Sequence, residues 1–229
     1  MTNRQKTNRR PPGRPPERGE GETRELLLTA ATQSFGEQGA AASTFSLIAR
    51  RAGLTPAVVH YYFSDRDALL DAVVNERIAP LIASVWDPVG PGDSVETIVR
   101  GVVERLLAGI ERNPWIPSTW MREILNEGGL LRARVLLRLP LDKVRMVGAA
   151  MVRGQREGAI HTDLDPILIV FSMLGLVMLH MATAGLVVNI LHRDMPDHAV
   201  LGRHITGVLL HGLECHPAAT PRRKGTARR

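Results

Sequence analysis

Between Asp165 and Arg193 the chain carries no formal charge, and from Ile167 to Leu191 it runs through 25 mostly apolar residues. A segment of that length and polarity has two physical homes, a bilayer core or the interior of a helical assembly. Gly175, Gly185, Ser172, Thr183, His180 and Asn189 lie within it, and no second run like it exists in the sequence. Small and polar residues of this kind suit a helix packed against protein, in a bundle or at a subunit interface. The segment is read that way, with a membrane tether as the alternative.

The charge of the chain sits mainly at its ends. Lys and Arg outnumber Asp and Glu to give a net +6 over 229 residues. Residues 1–20 hold six basic against two acidic side chains, and residues 216–229 hold five basic and none acidic. The body between them is slightly acidic. Residues 1–22 and 217–229, rich in Arg, Pro and Gly, are read as unstructured arms. The remaining sequence, 44% hydrophobic overall, can bury a substantial core and divides at about residue 70 into units 23–70 and 71–216. A single cysteine, Cys215, excludes a disulfide scaffold and a Cys-built zinc site and fits a reducing cytosol. The N-terminus has no apolar h-region, so no secretory signal is expected.

Helical periodicity dominates the body, and the spacing predicts an all-α chain of nine helices. The first starts at Thr23 as N-cap and stops before Gly39. Two short ones follow, Phe45 to Arg51 and Pro56 to Tyr62. A fourth runs from Asp65 toward Trp86, and a fifth from Ser94 to Arg112. A short helix reaches Asn126, and after Gly128-Gly129 another ends near Glu157. The last two are 167–191 and Pro196 to Cys215.

The two short helices carry the strongest functional signal. They are joined by Ala52-Gly53-Leu54-Thr55, a turn in which Gly53 can adopt positive φ, and together they form a helix-turn-helix unit. Phe45, Ile48 and Ala49, with Val59, Tyr62 and Phe63, can bury against Leu27, Ala31 and Phe35. Pro56, Ala57, His60 and Tyr61 then form an outward ridge of i, i+4 neighbours, narrow enough for a DNA major groove.

The stretch Thr23–Val74 resembles the N-terminal DNA-binding domain of the TetR/AcrR family of transcriptional regulators. The resemblance rests on Ala30-Ala31, Phe35, Gly39, Ser43-Thr44, Ile48-Ala49, Ala52-Gly53-Leu54-Thr55, Tyr62-Phe63 and the run Asp65 to Leu70. It implies a cytoplasmic homodimer on a palindromic operator in double-stranded DNA, acting as a repressor. It also implies a C-terminal domain that takes a small-molecule inducer, hydrophobic or amphipathic. By the same resemblance Thr44 caps its helix and touches phosphate, while Thr55, Pro56, Ala57, Val58, His60 and Tyr61 face bases or backbone. Tyr62 lies beside a phosphate, as does Arg66, which stands where the family usually has Lys. Ser46 occupies the place of a polar reader found in some members. A constitutive DNA-binding protein without a ligand pocket is the other reading.

Beyond residue 75 the expectations come from residue type. Trp86, Trp115, Trp120, Met121 and Met173, with Arg100, Arg122 and His180 as polar groups, are candidates for an apolar ligand pocket. The dimer seam is expected on the last two helices, at Leu176, Leu179, Thr183, Val187, Leu201, Ile205, Val208 and Leu209, so that a charge at Leu176 or Leu209 should break the dimer. His204, His211 and Cys215 share a helical face but are read as interface residues, with no metal expected. No Ser/His/Asp elbow, phosphate loop or dinucleotide fingerprint appears, so neither an enzyme nor a cofactor is implied. Gly13-Arg14-Pro15 is similar to the core of minor-groove-binding AT-hook peptides, with the whole arm otherwise a solvated leader.

Overall fold

Side-chain caps and prolines set most of the helix boundaries. The computed structural model describes residues 19–213 except Arg193 and Met195; the Gly13-Arg14-Pro15 arm, Cys215 and the C-terminal tail lie outside the described residues. The described residues form α1 (Glu20–Gln38), α2 (Phe45–Arg51), α3 (Pro56–Tyr62), α4 (Arg66–Val73), α5 (Ala79–Trp86), α6 (Val95–Arg112), α7 (Ile116–Thr119), α8 (Arg132–Leu136), α9 (Leu141–Arg156), α10 (Pro166–Ala182), α11 (Ala184–Leu191) and α12 (His198–Leu213). There is no strand among them. The starts of α2, α4, α6 and α10 are capped by Thr44, Asp65, Ser94 and Asp165, whose side chains accept backbone N–H groups of the first turn at 2.8–3.2 Å.

The helix count departs from expectation where local chemistry interrupts a continuing apolar pattern. α1 begins at Glu20, not at Thr23, and Thr23 donates its N–H to the Gly19 carbonyl. Glu20 and Glu22 in the first turn complement the positive end of the helix, which favours the earlier start. The long helix expected from Asp65 to Trp86 is continuous but contains a π-helical turn, Val74–Ile78, whose wider ring is closed by the Ala79 N–H on the Val74 carbonyl. Pro80 follows at once; it has no N–H to donate, and the extra residue absorbs the lost bond. The helix expected from Gly129 to Glu157 is broken between α8 and α9 at Pro140, again because proline cannot continue the ladder. The 167–191 run is split at Thr183, and α11 leaves α10 at 48°. The Thr183 hydroxyl donates to the Leu179 carbonyl at 2.7 Å, a back-bond of the kind that bends helices. No single described helix is long and apolar enough to cross a membrane.

Two apolar cores result. One holds Leu27, Phe35, Ile48, Val59, Phe63, Leu69 and Leu70 from α1–α4, and it draws Ile124, Leu131 and Val135 from later in the chain. The other is built around α6, whose Val99, Val102 and Val103 are fully buried, with α5, α9, α10 and α12 packed on it. Each fully buried Leu or Val of this kind contributes roughly 1.5–3 kcal/mol relative to exposure.

Reciprocal ion pairs clasp α1 to the π turn. Arg24 donates to both oxygens of Glu76, and Arg77 donates to Glu25 at 2.5 Å. The Arg24 hydrogen bond holds the Glu76 carboxyl below its usual range, against the opposing effect of burial. A lowered folded pKa stabilises above the unfolded pKa, and the gain is lost as pH falls through the folded value. Because both partners are about a third exposed, Glu76→Gln should cost less than ~1 kcal/mol at neutral pH. Its deficit should vanish in acid; urea denaturation at neutral and acidic pH measures both.

Candidate nucleic-acid interface

The helix-turn-helix is pinned from below. Ile48 and Ala49 of α2 and Val59 of α3 are fully buried, and Phe63 closes α3 at 2% exposure. The turn between them is closed by the Leu54 N–H on the Ala49 carbonyl at 2.8 Å, with Gly53 at φ +68°. Any residue with a Cβ is strained at that angle. With the inner face fixed, Pro56, Ala57 and His60 stand exposed on the opposite side, and Tyr61 is 71% exposed.

The ridge is supported sideways. The His60 ring meets Phe45 edge-on at 4.8 Å, and Tyr61 meets Tyr62 edge-on at 5.1 Å. The Tyr61 hydroxyl donates to Glu20 at 3.3 Å, and the Glu20 charge pushes the phenol above its usual range, keeping it a donor. Thr44 is exposed and its hydroxyl oxygen caps α2, while Ser46 is exposed beside it. Thr55 is exposed and makes no cap bond, which leaves its hydroxyl open. Val58 and Tyr62 are half-buried at the edge of the core.

Arg66 stands differently from the expectation of a phosphate contact. Its guanidinium reaches back to the α1–α2 turn, donating to the Ala40 carbonyl and, at 2.9 Å, to the Ala41 carbonyl. That ties the start of α4 to the turn ahead of the reading unit. The exposed Arg50 at the end of α2 makes no ion pair among the described residues, whereas Arg51 is paired with Glu37.

The eight expected pocket residues do not converge. Trp86 and Met173 are core residues at 5% and 0% exposure. Trp115 backs onto Gly36 of α1, where an added Cβ would come within 3.1 Å of its own Cβ, and Trp120 packs between the two cores. Met121 and Arg122 are exposed, and the half-buried His180 bonds the Leu176 carbonyl and faces His204 edge-on. Of the eight, only Arg100 lines a cleft of about 450 Å³ between α6, the α9–α10 connection and α12, together with Val95, Glu96, Ala159, Arg203, Gly207, Leu210 and His211, and it is paired there with Glu96 at 2.8 Å. Arg203, Gly207 and His211 recur at four-residue spacing on α12; that spacing was the available signal for this cleft.

The expected seam also divides. Leu201, Ile205 and Leu209 are buried within the subunit against the α6 core, which removes them from any seam. An apolar helix with two apolar faces must give one to its own core, and these three lie on that one. Leu176, Thr183 and Val187 are half-buried; Leu179 and Val208 are exposed, along with Leu168, Phe171, Leu186 and Ile190.

Residues 27–73, from α1 through α4, match the model of the family described as bacterial regulatory proteins, tetR family. The helix-turn-helix segment is of the tetR family. The chain is 35% identical over 81 residues to the HTH-type transcriptional regulator BetI of Rhizobium meliloti (strain 1021), a match that covers 34% of this chain and 40% of that protein. It is 28% identical over 115 residues to the HTH-type transcriptional regulator SrpR of Pseudomonas putida, covering 50% and 53%. The chain thus spans about half or less of the length of these curated relatives. The fold extends further. The ketosteroid transcriptional regulator KstR2 of Mycobacterium tuberculosis superposes with a TM-score of 0.67 at 18% identity, over 84% of this chain and 95% of that one. FadR from Bacillus subtilis, solved in complex with stearoyl-CoA, gives 0.62 at 17% identity over 83% and 100%. The ridge residues all fall inside the matched tetR segment, whereas the cleft and the apolar band fall beyond it.

Proposed function

We propose that the protein is a ligand-responsive transcriptional repressor that works in the cytoplasm as a homodimer on a palindromic operator. The observation that carries this reading is the exposed Pro56–Tyr61 ridge on a helix whose inner face is buried. The reading unit is formally almost neutral, which suits a specific binder using hydroxyls, helix N-termini and a few Arg contacts rather than a charge-driven DNA coat.

Paired docking requires two ridges about 34 Å apart, one duplex turn. The exposed band of Leu168, Phe171, Leu179, Leu186 and Val208 is the surface proposed to hold the twin subunit at that distance. The 450 Å³ cleft offers room for a small amphipathic ligand: its walls are apolar at Val95 and Ala159, Glu96 lines it and pairs with Arg100 at 2.8 Å, and Arg203 is left to meet a polar head. A ligand that stabilises another ridge spacing releases the operator. A hundredfold release needs roughly 2.7 kcal/mol of differential affinity between the two states.

Selection of bound duplexes from a random pool tests the reading. Enrichment of an inverted repeat with half-sites about ten base pairs apart supports it. A pool that shows no enrichment, or enriches a lone unrepeated site, overturns it.

A further inference from the structure

Glu123 lies in a second π-helical turn, Trp120–Ile124, and is buried to 4% exposure. It makes no ion pair among the described residues. One carboxylate oxygen accepts the Ala40 N–H at 2.7 Å, from the turn between α1 and α2. The other accepts the Leu130 N–H at 2.9 Å, from the approach to α8. A buried carboxylate without a cation is costly unless hydrogen bonds satisfy it, so this geometry is held by both amides together.

The surroundings are shaped to the same contact. Gly39 has φ +86°, and a Cβ there would meet the Glu123 carboxylate at 3.1 Å. A Cβ on Gly129 would come within 2.1 Å of the Glu123 carbonyl oxygen, so only glycine lets the Gly128-Gly129 turn deliver the Leu130 N–H. Arg132 donates to the carbonyls of Ile124 and Leu125 at 2.9 and 3.2 Å and ties the end of the π turn. Ala40, fully buried, is gripped from both sides: Glu123 takes its N–H, and Arg66 of α4 takes its carbonyl. A few residues on, Arg134 of α8 bridges Asp67 and Asp71 of α4 at 2.7 and 2.6 Å.

We propose that Glu123 is a positioning residue for DNA recognition: its carboxylate locks the α1–α2 turn to the 120–134 segment and so fixes the orientation of the helix-turn-helix relative to the C-terminal helices. The proposal rests on the DNA-binding reading above. It adds that orientation of the ridge is set from a residue some 80 positions away in sequence.

Glu123→Gln tests it. The amide oxygen can accept one backbone N–H, but its NH₂ cannot accept the other, so one half of the lock is lost at nearly constant volume. The expected result is a folded, dimeric protein whose affinity for the selected duplex falls at least about tenfold (~1.4 kcal/mol). Affinity for a scrambled duplex should be unchanged, and the Ala40 and Leu130 amides should exchange with solvent about tenfold faster. A purely structural role would lower stability and leave the ratio of the two affinities untouched. A folded variant with the wild-type ratio overturns the proposal.

If Glu123→Gln does not fold, hydrogen exchange on the unaltered protein decides. Protection of the Ala40 and Leu130 amides should rise together on adding the selected duplex, and unchanged or independent rates overturn the lock. Failure of the wild type to enrich any duplex sinks the DNA reading itself, which is distinct from a variant that alone loses discrimination.

Discussion

Ala57→Glu is expected to abolish operator binding, weakening it at least about a hundredfold, or ~2.7 kcal/mol, while leaving the thermal midpoint unchanged or slightly raised. The two effects have opposite signs because they act through different surroundings. Ala57 is exposed in the first turn of α3, just after Pro56 at the helix start. A carboxylate there complements the positive end of the helix by about 0.3–1 kcal/mol. In the major groove the same carboxylate is repelled by the phosphates on either side. Fluorescence anisotropy with the selected duplex at fixed salt measures the first quantity, and a circular dichroism melt the second. Wild-type affinity in a folded Ala57→Glu protein would remove the ridge from the interface.

The second large effect separates core from seam on the C-terminal helices. Leu209→Asp is expected to unfold the C-terminal half. Leu209 is 6% exposed within the α6 core, and an unpaired carboxylate there costs several kcal/mol. Leu179→Asp, at a position 53% exposed on α10, should leave the fold intact and yield a monomer that has lost the paired operator affinity. Sedimentation velocity and the helical circular dichroism signal distinguish these outcomes. A folded Leu179→Asp monomer that still binds the full palindrome with wild-type affinity would sink paired docking.

The contrast between those two leucines marks what the sequence could and could not reveal. Cap residues announce themselves locally, and Thr44, Asp65, Ser94 and Asp165 all stand at helix starts with their side chains engaged. Gly53 and the buried Ile48, Ala49 and Val59 follow from short-range spacing in the same way. α10 and α12 are apolar on more than one face, so periodicity marks them as buried without deciding which face meets the subunit's own core. Leu201, Ile205 and Leu209 read as seam residues in sequence for that reason, and the fold gives them to the α6 core. The π turn before Pro80 and the breaks at Pro140 and Thr183 leave no mark on periodicity, because the apolar pattern continues through each. Glu123 left no local trace, since its partner amides are set by how distant segments pack. Arg66 is likewise set by packing, which gives its guanidinium the carbonyls of Ala40 and Ala41 in the α1–α2 turn.

The π turn at Val74–Ile78 bears on how this chain tolerates changes in length. Each residue advances an α-helix by about 100°, so losing one residue from an ordinary stretch of α4 or α5 swings every later side chain to a different side. At the π turn one residue is already surplus to the regular winding. A single-residue deletion there, combined with replacing Pro80 by a residue that has an N–H to donate, would restore an uninterrupted spiral and keep the faces above and below it in phase. The rod joining the two cores therefore has one place where evolution can shorten it without unlearning which way its residues point.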